Sequence, residues 1–306
     1  MKLVVRADDV GYSQVCNIGT FETLDNGIIT SVDIMFDTPG TVDALERLCN
    51  YPWISVGWHT HFWGSPILGS RVPTLFDPAR NGFRKDLNAA DVSFEESLAE
   101  CRSEMELCVK ILGRVPDVGG SLISTETPFG RALQQVHDEY GIITDFMGMD
   151  LGASGSISNN IYKVKSEWIT RKIFVRGLNE YCRPLRREPL TPAGWTDSIS
   201  ALLDYDPIRF YIEDESKLLE LDDDSITVHA WHPGYVDYYV SRCGDYSPGA
   251  QCFKDIRTVD VHALCSQEVK NWIKESHIEL INMRDALFGT DEYQKHLRDV
   301  NSPLAL

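Results

Sequence analysis

The sequence has no apolar run that approaches the roughly 18 residues needed for a membrane-spanning helix. Basic residues are also few, since 29 Lys and Arg stand against 46 Asp and Glu, which gives a formal net charge of −17. Such a charge disfavours nucleic acids and anionic membranes as partners, because both are themselves negatively charged. No targeting pattern is visible, because the short apolar run near the start is followed at once by charged residues. We therefore expect a soluble, cytoplasmic protein without nucleic-acid or membrane partners.

Paired cysteine spacing and several common enzyme motifs are missing as well. The eight cysteines are scattered without a CxxC pattern, so we expect free thiols rather than a disulfide framework. Walker A, GxGxxG, GxSxG and HExxH patterns are absent, which excludes the enzyme classes that depend on them.

What the chain does contain is an alternation of short β-rich runs and helical patterns, which predicts parallel βα units. The clearest helix is predicted over 94–112, where apolar residues recur at alternating spacings of four and three. Ser93 and Glu96 form a capping-box pattern at its start, and Gly113 follows its end. A second helix is predicted to open at Thr127-Pro128 and to end at Gly141, since proline at the first helical position loses no needed donor. The long connection 63–92 is typical of a segment that either covers a site or is disordered. No repeat or linker is visible, so we expect a single domain.

Two adjacent carboxylates follow the first apolar run. Leu3–Val5 leads through Arg6 to Asp8 and Asp9, and Gly11 breaks the pattern. This is typical of a buried strand that delivers acids to its carboxyl end, although Asp and Gly also cluster in ordinary turns. Where the backbone turns at a strand end, both carboxylates can reach one site. One could bind a divalent cation there while the other acts as a general base.

Two histidines occur at the end of a strand predicted over 53–61. His59 and His61 are two residues apart, so on an extended strand they share one face, as two ligands of a single metal ion could. Gly57, just before them, allows close approach of backbone or ligand. The alternative interpretation is that these histidines are packing residues among neighbouring aromatics.

A third cluster surrounds His232. An apolar run leads to this histidine immediately before Pro-Gly, which places it at a strand end, where it could donate a proton to a leaving group. The alternative is a turn residue bonded to backbone. The candidate substrate contacts, including aromatic rings on which a sugar could stack, are Arg6, Trp58, Trp63, Trp231 and Tyr235.

Matching motifs occur in one order along nearly the whole chain, to about residue 288. The stretches are Arg6–Ser13, Asn17 and Gly19, Gly27–Ser31, Val56–His59, Gly113–Pro116, His232–Asp237, Ser266–Lys270 and Ile278–Ile281. Together they resemble the YdjC/ChbG family of carbohydrate deacetylases. The Ala-Asp-Asp opening, followed in order by Gly-x-His and His-Pro, is the most specific part.

The resemblance implies an α/β fold, a distorted (β/α) TIM-like barrel, with one catalytic domain over residues 1–290 and a C-terminal tail over 291–306. It also implies hydrolytic removal of an acetyl group from an N-acetylated sugar or short oligosaccharide, with one divalent metal ion, Mg²⁺ or Zn²⁺, per chain. By position, Asp8 would be the general base, Asp9 and His59 would hold the metal, and His232 would protonate the departing amine. Homo-oligomerisation is left open.

One departure from the family pattern concerns the third metal ligand. The family's Asp-Ser-His motif supplies a histidine, but Leu122 stands at that position here, and leucine cannot bind a metal. Three outcomes stay open. His61 could replace the missing ligand; an oxygen donor such as Glu126, or water, could complete a site suited to Mg²⁺; or the metal could be lost.

Two other functions remain as alternatives at this point. The His59-x-His61 pair also resembles the metal motif of amidohydrolases, although that family carries the pair on its first strand and adds further ligands that have no counterpart here. A non-catalytic carbohydrate-binding relative is the other alternative, with the aromatic residues as its sugar-binding surface. Whichever function applies, the regions 63–92 and 151–195 are expected to shape specificity.

Overall fold

A mostly parallel β-sheet organises the molecule. The computed structural model describes residues 1–120, 126–145, 160–164, 167–171, 173–176, 205–221, 226–242 and 251–306. A separate short hairpin is formed by β4 (Phe76–Asp77) and β5 (Gly82–Phe83). The strands of the main sheet are β1 (Lys2–Val10), β2 (Ser31–Ile34), β3 (Ser55–Trp58), β6 (Val118–Gly120), β7 (Ile143–Asp145), β8 (Asn160–Val164), β9 (Glu167–Arg171), β10 (Ile173–Arg176), β11 (Ile226–Trp231) and β12 (Glu279–Leu280).

The helices follow the strands in the alternation that the sequence predicts. They are α1 (Gln14–Asn26), α2 (Thr41–Leu48), α3 (Phe94–Leu112), α4 (Pro128–Tyr140), α5 (Pro207–Ile212), α6 (Tyr238–Ser241), α7 (Gln251–Cys265), α8 (Gln267–Glu275), α9 (Met283–Phe288) and α10 (Glu292–Asp299).

Strand β1 lies in the interior of the sheet. The strand order is β10-β11-β1-β2-β3-β6-β7-β8-β9, and β12 also pairs with β1. Pairing is parallel from β10 to β7, whereas β8 and β9 are added in antiparallel orientation. Every residue of β1 after Lys2 is buried, as expected for a strand covered on both faces. The carboxyl ends of β11, β1, β2 and β3 therefore meet at one edge.

The two best-defined helix predictions are confirmed. Helix α3 has the predicted bounds, and Gly113 ends it in a left-handed conformation with φ of 78°. Ser93 accepts the N–H of Glu96, as predicted, but the Glu96 carboxylate accepts hydrogen bonds from Thr74 instead of completing the capping box. A tertiary contact with the long connection therefore takes the place of the local bond. Helix α4 begins after its Thr127 cap and ends at Gly141.

The connection 63–92 is held to the body of the protein by carboxylates. Three acidic side chains, Asp37, Glu96 and Glu100, accept backbone N–H groups within residues 64–74. The connection also contains the β4–β5 hairpin and a 3₁₀ turn at Gly69–Arg71. Of the two interpretations that the sequence allowed, the structure contradicts disorder. Most of 151–195, by contrast, lies outside the described residues.

Several elements were not predicted. The antiparallel strands β8 and β9 and the long helix α7 have no counterpart in the sequence-based assignment. The segment 291–306, predicted as a tail, forms α10 and packs on the core through Tyr293, Leu297 and Leu304. Its Tyr293 hydroxyl donates to the carbonyl of Ile29 at 3.1 Å, so this segment adds to the core.

The structure describes five of the eight cysteine side chains. Cys16, Cys49, Cys101, Cys108 and Cys265 are free thiols. Cys101 and Cys108 are fully buried in the core as packing residues. Among the described helices, none has both the length and the apolar character required to cross a membrane.

Candidate active site

The backbone is irregular near the end of β1, where both adjacent carboxylates reach one site. The register with β2 shifts between Ala7 and Val10, and Asp9 adopts a left-handed conformation with φ of 60°. Neighbouring side chains on a regular strand point to opposite faces, so this irregularity is what turns Asp8 and Asp9 to the same side. Both are buried.

Arg6 bridges two carboxylates beneath the site. Its guanidinium donates to Asp8 in bidentate fashion, at 2.6 and 3.0 Å, and lies 3.3 Å from Asp33 on β2. An added Cβ at Gly57 would lie 2.0 Å from the Asp33 carboxylate, so the close approach predicted for this glycine is made by Asp33. Two buried acids thus engage the Arg6 guanidinium, and its role as a substrate contact stays a prediction.

Asp9, His59 and His61 form a cluster that could hold a metal ion. One ligand atom from each lies within 4.8 Å of the others. Asp9 Oδ1 is 3.1 Å from His59 Nε2 and 3.7 Å from His61 Nε2. Donors about 2.1 Å from one ion, in tetrahedral or octahedral geometry, are about 3.0–3.4 Å apart. The distances around Asp9 are close to this range, so the three side chains fit a shared cation.

Two atoms of this cluster have unmet polar capacity. Asp9 Oδ1 and His59 Nε2 are both buried, and neither has a hydrogen bond of acceptable geometry among the described residues. Buried polar atoms are normally paired, so such an exception needs an explanation. A cation between them would satisfy both atoms.

The other oxygen of Asp9 is occupied by Arg257 from helix α7. The Arg257 guanidinium donates to Asp9 Oδ2 at 2.6 Å and lies over the Tyr12 ring at 5.1 Å. Arg257 is only 1% exposed. Burial opposes ionisation of Asp9, but Arg257 and the nearby histidines outweigh it and hold the pKa of Asp9 well below its usual value.

His232 faces the same cluster from the end of β11. Its Nε2 is 3.8 Å from Asp9 Oδ2, and its backbone N–H donates to Asp260 of α7 at 2.9 Å. Tyr205 donates to the second oxygen of Asp260 at 2.6 Å. Asp260 therefore holds the backbone of the turn in which His232 lies. Burial lowers the pKa of His232 to about 4 and raises the pKa of Asp260 to about 7.

The pKa values of His59, His61 and Asp8 are shifted in different directions. Burial opposes protonation of His59, but the carboxylates around it outweigh this and raise its pKa. Burial and the neighbouring His59 lower the pKa of His61 to about 3. Burial works to raise the pKa of Asp8, yet Arg6 and His59 bring it below the usual value. The cluster thus combines ionised carboxylates with a neutral His61.

Two of the four predicted stacking rings are part of the core. Trp58 and Trp231 are each 1% exposed. The Trp58 indole donates to Glu104 at 2.9 Å and the Trp231 indole to Tyr211 at 2.8 Å. This corrects their prediction as sugar-binding surface. They follow the pleat of buried strands, where a large ring packs inward.

Tyr235 also points away from the cluster. Its hydroxyl donates to Glu22 of α1. Glu22 lies roughly 13 Å along the helix from the Ser13 cap, at about 1.5 Å per residue. The Tyr235 hydroxyl is therefore bonded well away from the acids at the end of β1. Trp63, in contrast, is half-buried and stacks on His61, with ring centroids 4.2 Å apart.

The structure bears on the choice of third metal ligand through His61 and Glu126. Leu122 lies outside the described residues. Glu126 is exposed before α4 and is not part of the cluster formed by Asp9, His59 and His61. The geometry of the described residues therefore favours His61.

Sequence reasoning missed Asp33, Arg257 and Asp260. Arg257 and Asp260 share a face of α7 with buried apolar residues such as Leu264, at spacings of three and four. Charged residues on an apolar helix face are the signal that could have identified them, because such groups are buried only when paired. Asp33 shows the same signal within the apolar strand β2.

The Trp58 contact also predicts a pH dependence of stability. Glu104 is buried near Glu100 and Asp37, and burial together with these acids raises its pKa well above the usual value. A folded state that binds protons more tightly than the unfolded state loses stability as pH rises from the unfolded pKa through the folded one. Glu104→Gln keeps an acceptor for Trp58 but cannot ionise. We compare the free energy of unfolding of Glu104→Gln with that of wild type at each pH. We expect this difference to favour the variant more at pH 8 than at pH 5, by more than about 1 kcal/mol.

Urea denaturation at both pH values measures this difference. Glu106→Gln is the matched control, because Glu106 is exposed on the same helix. Equal pH slopes for wild type and Glu104→Gln would contradict the prediction.

The fold and the site together define a mostly parallel α/β protein with a cluster of carboxylates and histidines at the carboxyl edge of its sheet. The family model described as "YdjC-like protein" matches residues 2–275. The chain therefore belongs to the YdjC-like family, as its motifs predict.

Relatives and a solved structure extend over most of the chain. A carbohydrate deacetylase of Clostridium beijerinckii is 25% identical over 292 residues, covering 93% of this chain and 100% of the relative. A carbohydrate deacetylase of Enterococcus faecalis is also 25% identical, covering 92% and 96%. The crystal structure of a putative cellobiose-phosphate cleavage protein from Enterococcus faecalis has a TM-score of 0.56 at 19% identity, covering 92% of this chain and 97% of that one. The last similarity supports the fold alone.

Proposed function

We propose that this protein is a carbohydrate deacetylase, a metal-dependent hydrolase that removes the acetyl group from an N-acetylated sugar or short oligosaccharide. The observation that carries the proposal is the position of Asp8 and His232 beside the Asp9–His59–His61 cluster. Relatives named carbohydrate deacetylase, aligned over more than nine-tenths of the chain, support the same reaction.

Asp9, His59 and His61 would hold the divalent cation. A cation bound there supplies electrophilic activation of the acetyl carbonyl and of the attacking water. Two imidazoles with one carboxylate favour Zn²⁺ or a similar transition ion over Mg²⁺, which prefers oxygen ligands. Arg257 keeps one Asp9 oxygen engaged, so the other is directed toward the two histidines.

Asp8 is the general base of the proposed reaction. Arg6 donates a hydrogen bond to each of its two oxygens, which fixes the plane of the carboxylate. Each oxygen can still accept a further hydrogen bond. Asp8 therefore takes a proton from water, whose oxygen bonds to the acetyl carbon.

His232 is the proposed proton donor to the leaving nitrogen. Because burial lowers its pKa to about 4, its imidazole is neutral before the reaction and becomes a donor by taking up the proton that Asp8 has removed from water. Its ring faces the site from β11, on the strand next to β1, while Asp260 holds its backbone. The carbon–nitrogen bond breaks as the amine gains a proton. Acetate and the free amino sugar are the balanced products of the amide and one water.

The finer architecture belongs to the same proposal. We infer that the sheet forms part of a distorted (β/α) barrel within a single catalytic domain over residues 1–290. Parallel pairing from β10 to β7 and the similarity to the Enterococcus faecalis structure support this inference. In such barrels, active sites lie at the carboxyl ends of the strands, where the acids and histidines are found here.

Acetate release tests the function. The purified protein is freed of metal, reloaded with Mg²⁺, Zn²⁺ or Co²⁺, and incubated with N-acetylated mono- and disaccharides. We expect acetate and a free amino sugar in equal amounts with at least one metal, and none with the metal-free protein. Sugar binding without acetate under any of these metals would instead indicate a non-catalytic carbohydrate-binding relative.

A further inference from the structure

The segment after β3 has an unusual backbone. Phe62, between His61 and Trp63, adopts a left-handed conformation with φ of 55°. Residues other than glycine rarely occupy this region, and they persist there only when surrounding packing imposes it. In regular extended backbone, His61 and Trp63 would share a face but would not stack their rings flat on each other.

Packing around Phe62 provides that constraint. Its ring is buried and makes edge contacts with Phe83 of the β4–β5 hairpin and Phe129 of α4, at centroid distances of 5.2 and 4.8 Å. Two separate elements thus hold the ring in the core. With Phe62 fixed there, the side chains on either side of it are turned together toward the site.

The His61 ring is held on two sides. Its flat face lies against Trp63, with centroids 4.2 Å apart and planes 9° apart, and it meets the His59 ring edge to face at 4.1 Å. In this orientation His61 Nε2 points toward Asp9 Oδ1, at 3.7 Å. The Trp63 face that meets His61 is not available to a sugar.

We propose that Trp63 is a positioning residue that holds the His61 imidazole as the third metal ligand, rather than a surface on which the substrate stacks. The inference rests on the proposed function, because it assigns His61 to the metal of that site. It also accounts for Leu122: a ligand on the segment after β3 replaces the histidine expected on the segment after β6. Trp63 acts through His61, as outer residues around metal sites act through the ligands that they orient.

Co²⁺ affinity is the direct test, because it is read from ligand-field absorption without any substrate. Metal-free wild-type protein, Trp63→Leu and Trp63→Phe are titrated with Co²⁺. Leucine removes the flat ring and phenylalanine keeps one. We expect Trp63→Leu to weaken Co²⁺ binding by about 10-fold or more, with an altered absorption band, and Trp63→Phe to stay within about threefold of wild type.

The chain offers a matched control for the loss of a stacked indole. Trp53 stacks on His296 with centroids 3.6 Å apart and planes 8° apart. Neither residue is part of the cluster formed by Asp9, His59 and His61. Trp53→Leu removes the same kind of contact and should leave the Co²⁺ affinity at the wild-type value. Equal weakening by Trp53→Leu and Trp63→Leu would show a general loss of stability and would overturn the proposal.

A double-mutant cycle with His61→Ala separates the roles further. If Trp63 acts through His61, adding Trp63→Leu to His61→Ala should cause no further loss of Co²⁺ affinity. If Trp63→Leu lowers the Co²⁺ affinity of His61→Ala as much as it lowers that of wild type, the proposal is overturned. So would unchanged Co²⁺ affinity in Trp63→Leu together with a raised KM, since that result indicates a substrate-stacking surface.

The proposed function can fail separately. Wild-type protein that binds Co²⁺ with the expected dependence on Trp63 but releases no acetate would contradict the deacetylase proposal alone. Wild-type protein that binds no Co²⁺ would overturn the positioning role, whether or not acetate is released.

Discussion

Replacing Asp8 with asparagine is expected to lower kcat for acetate release by a factor of about 10²–10⁴, the usual contribution of a positioned general base. Asparagine has nearly the same shape and can still accept from Arg6, but it cannot take a proton from water. The fold should survive, because Asp33 remains as a partner for the Arg6 charge. Steady-state acetate release with the metal-loaded variant measures the effect.

The metal affinity of Asp8→Asn distinguishes a base from a ligand. Asp8 is not part of the three-residue cluster, so we expect the Co²⁺ dissociation constant to change little. Asp9→Asn is the comparison, since it removes a ligand oxygen and should lose Co²⁺. A variant Asp8→Asn that keeps full activity, or that loses the metal as Asp9→Asn does, would contradict the assigned role.

Arg257→Met is expected to destabilise the metal-free protein by about 3–5 kcal/mol, because it leaves the buried Asp9 carboxylate without its partner. Methionine fills much of the volume of arginine, so the loss reports mainly the uncompensated charge. The guanidinium contact at 2.6 Å and the position over Tyr12 would both be removed. Urea denaturation of the metal-free variant measures the change in the free energy of unfolding.

A surface ion pair provides the control for Arg257. Arg102 pairs with Glu139 at 2.5 Å, but 42% and 33% of their side-chain surfaces are exposed. Arg102→Met should therefore cost less than about 1 kcal/mol. Bound Zn²⁺ should restore part of the stability of Arg257→Met, because it supplies positive charge next to Asp9. An effect of Arg257→Met no larger than that of Arg102→Met would contradict the prediction.

Helices α3 and α4 show what local sequence determines. Ser93 and Thr127 accept backbone N–H groups in their first turns, and Gly113 and Gly141 end the helices with positive φ. These signals lie within a few residues of each helix end, so the sequence predicted them accurately. The same holds for the parallel strands, whose β-rich runs alternate with helices.

The candidate site was predictable in part, for a topological reason. Asp8, Asp9, His59 and His232 each follow an apolar run, and parallel strands bring their carboxyl ends to one edge. Residue type and position along the chain were therefore enough to predict that these side chains meet. Whether they act as proposed stays a prediction for the experiments above.

The sequence by itself determined the family, the mostly parallel fold, and the acids and histidines that end its strands. Only the tertiary structure showed that Arg257 pairs with Asp9, and that Trp58 and Trp231 lie in the core. The physical reason is the separation along the chain of the residues that interact. Caps, turns and periodicity depend on neighbours along the chain, whereas a buried ion pair between residues 9 and 257 depends on how helix α7 docks. Likewise, the direction of Trp63 depends on one left-handed residue, Phe62, whose conformation is imposed by rings from distant segments.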